Sequence, residues 1–290
     1  MQTCSDMLRD AKTALARSWL KREKTDCNTG SVAITKDNAH ASGIFESRTH
    51  LLDVTSEQSA LALAVSRKDP KVSKVISVVE GEFLLNPIVV KVLGDHARRT
   101  GMPIAYEVYD TQEKRLFSCK DIAAHYNPRS DVLPQIKGWQ PGQNWLLIDA
   151  KKDVLTQLKD AAVRGMETHF SAGTNSRYGA AVKVGNKIYF GGVYSSYDHR
   201  LNLHAEMVAA LAAIMDGHRA IEQVAIISNK FVSEVPHMCG CCRQFFSEVQ
   251  EKTGKPISIA AFSFDGKQKF EAKLNEYLPS GWSSGKALGS

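Results

Sequence analysis

The sequence predicts an α/β fold in which one layered domain occurs twice in tandem. Three observations predict it. Gly30 and Gly179, Gly43 and Gly192, Glu57 and Glu206, and Pro87 and Pro236 are each 149 positions apart, and Thr100-Gly101-Met102-Pro103-Ile104 matches Thr253-Gly254-Lys255-Pro256-Ile257 at a spacing of 153. On this reading the first copy has lost four residues after Pro87. Within each copy the apolar pattern alternates between strand and helix periods, the signature of an α/β layered domain. The 290 residues, 43% of them hydrophobic, suit one large or two ordinary domains with proper cores.

The elements follow in order. Leading helices are expected over residues 7–20 and 154–170, with Leu8-Arg9-Asp10-Ala11 matching Leu158-Lys159-Asp160-Ala161. Val32-Ala33-Ile34-Thr35 parallels Ala181-Val182-Lys183-Val184 as a first strand, and Lys36-Asp37-Asn38 stands where Gly185-Asn186 makes a hairpin turn before Lys187-Ile188-Tyr189-Phe190. Thr55-Ser56-Glu57-Gln58 opens a capped helix through Val65, opposite a run of helix formers from His204 that ends at Asp216-Gly217. Residues 75–79 and 224–228 read as buried parallel strands, with residues 104–108 and 257–262 as the next. Residues 1–110 form a first lobe and residues 151–290 a second. Between them, residues 111–150 are punctuated too heavily by proline and glycine for a regular element, and read as a crossover ordered by packing of Trp139 and Trp145.

Composition excludes several classes. Residues 1–20 scatter charges and lack an apolar core for a leader, and no later stretch reaches the length of a membrane span, so a cytoplasmic protein is expected. Of six cysteines, three cluster and Cys4, Cys27 and Cys119 stand alone, which is no disulfide framework. The net charge of +6 is dispersed, densest at Lys21-Arg22-Glu23-Lys24, and reads as a solvated surface.

The chemistry concentrates in His204-Ala205-Glu206 and in Pro236-His237-Met238-Cys239-Gly240-Cys241-Cys242-Arg243-Gln244. A His-x-Glu followed by Cys-x-x-Cys has the spacing of zinc-dependent nucleobase deaminases. A catalytic zinc takes three protein ligands and keeps a fourth position for water, and His204, Cys239 and Cys242 supply three. At the start of a helix, Cys239 and Cys242 share a face where the dipole favours thiolates. Glu206, two residues past His204, points elsewhere on the turn, which suits a group facing substrate. The competing reading is a structural zinc knot with Cys241 as a fourth ligand; Cys241 could also replace one of the three.

Cys239-Gly240-Cys241-Cys242-Arg243-Gln244 resembles the Cys-Gly-x-Cys-Arg-Gln element of the cytidine deaminase family. Gly179-Ala180-Ala181-Val182 resembles its Gly-Ala-Ala-Val strand, and Tyr277-Leu278-Pro279 with Trp282 its C-terminal tail, so the resemblance spans about residues 151–282. It implies a three-layer α/β/α domain with a mixed sheet, one zinc ion per chain, and hydrolytic deamination of a cytosine nucleoside, with Glu206 taking a proton from water and returning protons to the ring and the departing ammonia. A histidine as first ligand resembles the family's two-lobe forms, which dimerise, so a homodimer is expected; in those forms the active lobe comes first, and here it comes second. By position Ser176 replaces the family's Phe, Gly192 its Asn and Tyr194 its Glu, the last two being the ribose grip. Ser176, Gly192, Tyr194 and Ala205 are therefore the candidate substrate-binding residues, and the changed grip implies a relaxed or modified sugar preference. The Val193-Tyr194 pair somewhat resembles the blasticidin-type deaminases, while Tyr194 reads equally as strand packing. Tyr197, Asp198, His199 and Arg200 are candidate rim residues.

The first copy has Thr55 where the second has His204, and no cysteine between Cys27 and Cys119, so it cannot assemble the same metal site. Glu57 then reads as an ordinary helix-start carboxyl. Three functions compete: deamination of a cytosine nucleoside or nucleoside antibiotic, deamination of cytosine in nucleic acid, and non-enzymatic nucleoside binding. Neither motif is flanked by the interleaved basic and aromatic residues that single-strand binding needs, which disfavours a nucleic-acid partner.

Overall fold

The computed structural model describes residues 3–20, 27–47, 52–125, 136, 138–171, 175–196 and 198–278. Helix α1 (Cys4–Ala16) starts at Thr3, whose hydroxyl accepts from the Asp6 amide while the Asp6 carboxylate accepts from the Thr3 amide. This capping box places the start three residues ahead of the expected one. Helix α4 (Val154–Met166) is capped by Asp153. Both leading helices stop short of the expected ends because an aromatic residue leaves each to pair with the following hairpin: Trp19 bridges to Phe45, and Phe170 to Tyr194.

The repeat resolves into two mixed sheets. In the first lobe, β1 (Cys27–Ile34), β2 (Ala39–Gly43), β3 (Lys74–Gly81), β4 (Ala105–Asp110) and β5 (Arg115–Cys119) run in the order β2-β1-β3-β4-β5. The second lobe contains β6 (Trp145–Leu147), β7 (Tyr178–Val184), β8 (Lys187–Gly192), β9 (Gln223–Ser228), β10 (Ser258–Phe262) and β11 (Lys269–Lys273), in the order β6-β8-β7-β9-β10-β11. Five strands thus recur in one order, with β6 added at an edge. The β3–β4 and β9–β10 pairs are parallel and the other pairs antiparallel. Registers agree with the 149-residue spacing: Gly30 faces Gly43 as Gly179 faces Gly192, and Val32 faces Ile76 as Ala181 faces Ala225.

Three expectations change. Residues 111–150 hold regular structure, since β5 extends the first sheet to Cys119 and β6 joins the second at Trp145. Their short backbone ladders make strands that the surrounding proline and glycine obscure. Helix α3 (Pro87–Thr100) corresponds end to end with α6 (Gly240–Thr253) at 153, so Pro87 matches Gly240 rather than Pro236 and the missing residues lie before it. Proline is favoured at the first position of any helix, which makes it a poor marker of descent. The leading helices meet the sheets at a spacing of 151, one residue from the Leu8–Leu158 match. There, a Cβ on Gly30 would meet the Ala11 carbonyl oxygen at 2.2 Å, and a Cβ on Gly179 the Ala162 carbonyl oxygen at 2.0 Å.

Each sheet is covered on both faces. Leu8 and Ala11 of α1 pack on Val32 and Ile76, while Leu158, Ala161 and Ala162 of α4 pack on Ala181 and Ala225. Helix α2 (Ser56–Ser66) with α3, and helix α5 (Ala205–Met215) with α6, cover the opposite faces and merge into one core shared by the two lobes. All eleven residues of α2 and all eleven of α5 are buried; α5 is apolar but for Glu206, whereas α2 encloses Ser56, Glu57, Gln58, Ser59 and Ser66 with their hydrogen bonds made inside the protein. No helix among the described residues is long and apolar enough to cross a membrane.

Candidate active site

Two helix starts meet beneath the C-terminal sheet. The chain passes Leu203, which bridges to Tyr194, and turns into α5 at His204. His204 occupies the N-cap position, yet its ring makes no capping hydrogen bond and is left for other work. Cys239 caps α6, its Sγ accepting from the Cys242 amide at 3.5 Å. His204 Nδ1 lies 3.3 Å from the Sγ of Cys239 and 3.3 Å from that of Cys242. The three atoms fall within 4.8 Å of one another, a cluster able to hold a metal ion. One nitrogen and two sulfurs are donors that suit zinc. Cys241 is exposed and stands outside the cluster, which leaves a set of three.

The groups set each other's protonation. A hydrogen bond from the Cys242 thiol pulls Cys239 down to about 3, against the opposing effect of burial, and His204 adds to the lowering. Cys242 rises well above its ordinary value because it donates that bond and is buried. The bond to Cys239 raises His204. Glu206 is buried in the first turn of α5, and desolvation raises its carboxyl. A carboxyl so placed holds a proton more readily than an exposed one.

Much of the site's scaffold belongs to the other lobe. Gln58 Nε2 donates to the Leu201 carbonyl at 2.6 Å, Lys91 pairs with Asp198 at 2.8 Å, and Arg99 Nη1 donates to the Ser195 carbonyl at 2.8 Å. These contacts hold the segment that delivers His204. Sequence reasoning missed them, because nothing local marks a residue of a metal-free copy as a support. On the cysteine side, Tyr277 bonds His237 Nδ1 at 2.8 Å, and its carbonyl accepts from Arg243 at 2.8 Å. Burial raises the Tyr277 hydroxyl, and the charges of Glu206 and Cys239 add to the rise.

The candidate substrate residues separate. Ala205 is the buried first residue of α5, between His204 and Glu206. Ser176 is half-buried just ahead of β7. Gly192 packs against the end of α4: its amide donates to Thr168 Oγ1 at 2.9 Å, and an added Cβ would meet the Gly165 carbonyl oxygen at 2.5 Å. Close approach therefore explains this glycine. Tyr194 is 2% exposed and stacks on Phe170 with ring centroids 5.6 Å apart, while its hydroxyl bonds His96 Nδ1 of the first lobe at 3.1 Å. Of its two readings, the structure places it in interlobe packing. At the rim, Arg200 pairs with Asp198 at 2.7 Å. Tyr197, Pro279 and Trp282 lie outside the described residues, as do residues 21–24.

No protein-family model matches the chain. Among solved structures, it is similar to a cytidine deaminase from Burkholderia pseudomallei at 22% identity, over 45% of this chain and 100% of that one, with a TM-score of 0.40. A cytidine deaminase from Mycobacterium tuberculosis is similar at 20% identity over 46% of this chain and 99% of its own, with a TM-score of 0.38. One from Mycobacterium leprae is similar at 20% identity over 44% of this chain and 100% of its own, with a TM-score of 0.35. Each likeness spans less than half of this chain, so the functional reading rests on the site itself.

Proposed function

We propose that the C-terminal lobe is a zinc-dependent hydrolytic deaminase that converts a cytosine nucleoside, or a modified relative, to its uracil form. The observation that carries this reading is the convergence of His204 Nδ1 and the two thiols of Cys239 and Cys242, with the buried Glu206 two residues from the histidine. A structural zinc closes its coordination with protein atoms and has no use for a buried acid at that position. Cys241, the candidate fourth ligand, is exposed.

His204, Cys239 and Cys242 would hold the zinc, which when bound supplies a water acidified toward neutrality. Glu206 is the chain's own proton carrier. It would take one proton from the attacking water as the carbon–oxygen bond forms and give it to the ring nitrogen, then take the second from the new hydroxyl and give it to the amine as the carbon–nitrogen bond breaks. Water is consumed and ammonia released. One carboxyl serves as base and then as acid because its protonation alternates within the turnover. Exclusion of bulk water from Glu206 by burial in α5 helps keep the proton on that path. The cytosine nucleoside as substrate class follows from the resemblance of residues 239–244 and 179–182 to the cytidine deaminase motifs. Tyr194 is withdrawn into packing, so the sugar grip on which the family relies has no counterpart at that position.

The test is ammonia release from cytidine, deoxycytidine, cytidine nucleotides and cytosine nucleoside antibiotics, with metal content measured alongside. Wild type is expected to turn over at least one member with one zinc per chain. Glu206→Ala is expected to keep its zinc and lose at least about a hundredfold in rate. Turnover of none of the panel by zinc-loaded protein would refute the reading.

A further inference from the structure

The N-terminal lobe has a cavity at the place that matches the candidate metal site. Thr55 and Glu57 stand 149 positions before His204 and Glu206, and Asn86 and Val89 stand 153 before Cys239 and Cys242, in equivalent helix starts. All four line a cavity of about 610 Å³. That size falls within the range of small-molecule sites. Two of the ligand positions have been turned to helix capping: Thr55 Oγ1 accepts from the Gln58 amide and Asn86 Oδ1 from the Ile88 amide.

The acid remains, buried at 3% exposure. Glu57 Oε1 accepts from Ser77 Oγ and Tyr106 Oη, both at 2.8 Å. Oε2 is served less well. Its contact with Ser56 Oγ is 3.3 Å, and the single Ser56 proton has nearer oxygens in Thr29 at 2.9 Å and Ser31 at 2.7 Å. A carboxylate offers about four lone-pair sites, so Oε2 keeps acceptor capacity that a buried group does not waste cheaply. The walls beside it are apolar, from Val79, Phe83, Leu85, Val89 and Val108, and Leu84 at the lip is 78% exposed. Glu82 is a second lining acid, and no lysine, arginine or histidine lines the cavity among the described residues. Such a chamber rejects anions and accepts a flat apolar body that carries an N–H donor.

We propose that this cavity is a second, metal-free ligand site for an aromatic amine or amidine, which donates an N–H to Glu57 Oε2 and stacks its ring within the apolar walls. The site is independent of the chemistry assigned to the C-terminal lobe and stands or falls without it. The probe is benzamidine, with benzoate as its anionic counterpart of the same shape, titrated calorimetrically into the full-length, zinc-loaded protein. Benzamidine is expected to bind at one site per chain and benzoate not to bind. Glu57→Gln and, as a second variant that fills the cavity without touching the acid, Val89→Phe are each expected to weaken benzamidine about tenfold or more. Cys239→Ser is expected to leave that affinity unchanged. Equal binding of benzoate, no binding of benzamidine, or loss of binding with Cys239→Ser but not with the two cavity variants would overturn the proposal.

Discussion

Thr55 and His204 occupy the same place in two copies of one helix start, and Asn86 and Cys239 the same place in another. In the first lobe, threonine and asparagine side chains cap their helices through oxygen. In the second, the histidine makes no cap bond at all, and Cys239 offers only a sulfur acceptor at 3.5 Å. An oxygen cap contributes about 1 kcal/mol. The difference teaches that a candidate metal-ligand position and a capping position can be one site put to two uses: the second lobe gives up local helix stability to bring nitrogen and sulfur donors together, and the first regains it where no donors are gathered.

The sharpest way to break this comparison is to exchange the uses. Cys239→Ser is expected to take zinc from one per chain to none, with activity lost at least about a hundredfold. The triple substitution Thr55→His, Asn86→Cys and Val89→Cys is expected to raise zinc content to two per chain by elemental analysis. A content still at one would show that the 153-residue equivalence of the two helices is wrong.

The next effect tests the seam between the lobes. Burial pulls His96 from its ordinary 6.5 to about 4, with one ring nitrogen bonded to Tyr194 of the other lobe and the other to the Pro70 carbonyl. A histidine held neutral stabilises the fold fully above pH 6.5, and that contribution is lost as pH falls through 4, because the unfolded chain takes up the proton first. Urea unfolding should therefore show a loss of about 3 kcal/mol between pH 7 and pH 4 from this group. His169, also held near 4 by burial, adds a share of the same sign. In His96→Gln the His96 share should vanish; an unchanged pH profile would count against a buried neutral ring at the seam.

Smaller effects compare the lobes directly. Gly30→Ala and Gly179→Ala place their methyl groups against equivalent helix carbonyls. Each should cost about 2–3 kcal/mol by denaturant midpoint, nearly alike; a tolerant Gly30 beside an intolerant Gly179 would show that the first copy has relaxed its packing. Smallest is Gln58→Ala, which removes the first lobe's hydrogen bond to the Leu201 carbonyl. It should lower kcat about fivefold with zinc retained, and no change would deny the first lobe a part in placing His204.

The sheets were legible because hydrophobic alternation and paired glycines are local signals, and the 149-residue spacing carried the register with them. The convergence of His204, Cys239 and Cys242 was legible because ligand chemistry demands particular residue types at particular spacings, which packing cannot substitute. Tyr194 was not, since its role depends on His96, 98 positions away in sequence. The packing demand at Gly192 was hidden for a related reason: its missing side chain answers to α4, and a motif comparison looks only along the chain. Strands β5 and β6 escaped notice because three to five residues give too few alternations to stand out from turn-forming neighbours. Pro87 matched Pro236 by coincidence, a proline at a helix start being commonplace.

Helices α2 and α5, each without a water-facing side, shape the birth of the molecule as well as its finished form. The ribosome releases Ser56 well before Ala205, 149 residues later. At about 5–20 residues per second, α2 waits about 7–30 s for the cover that α5 provides. Throughout that interval α2 can pack on its own sheet and on α3, while the side that meets α5 stays open to water.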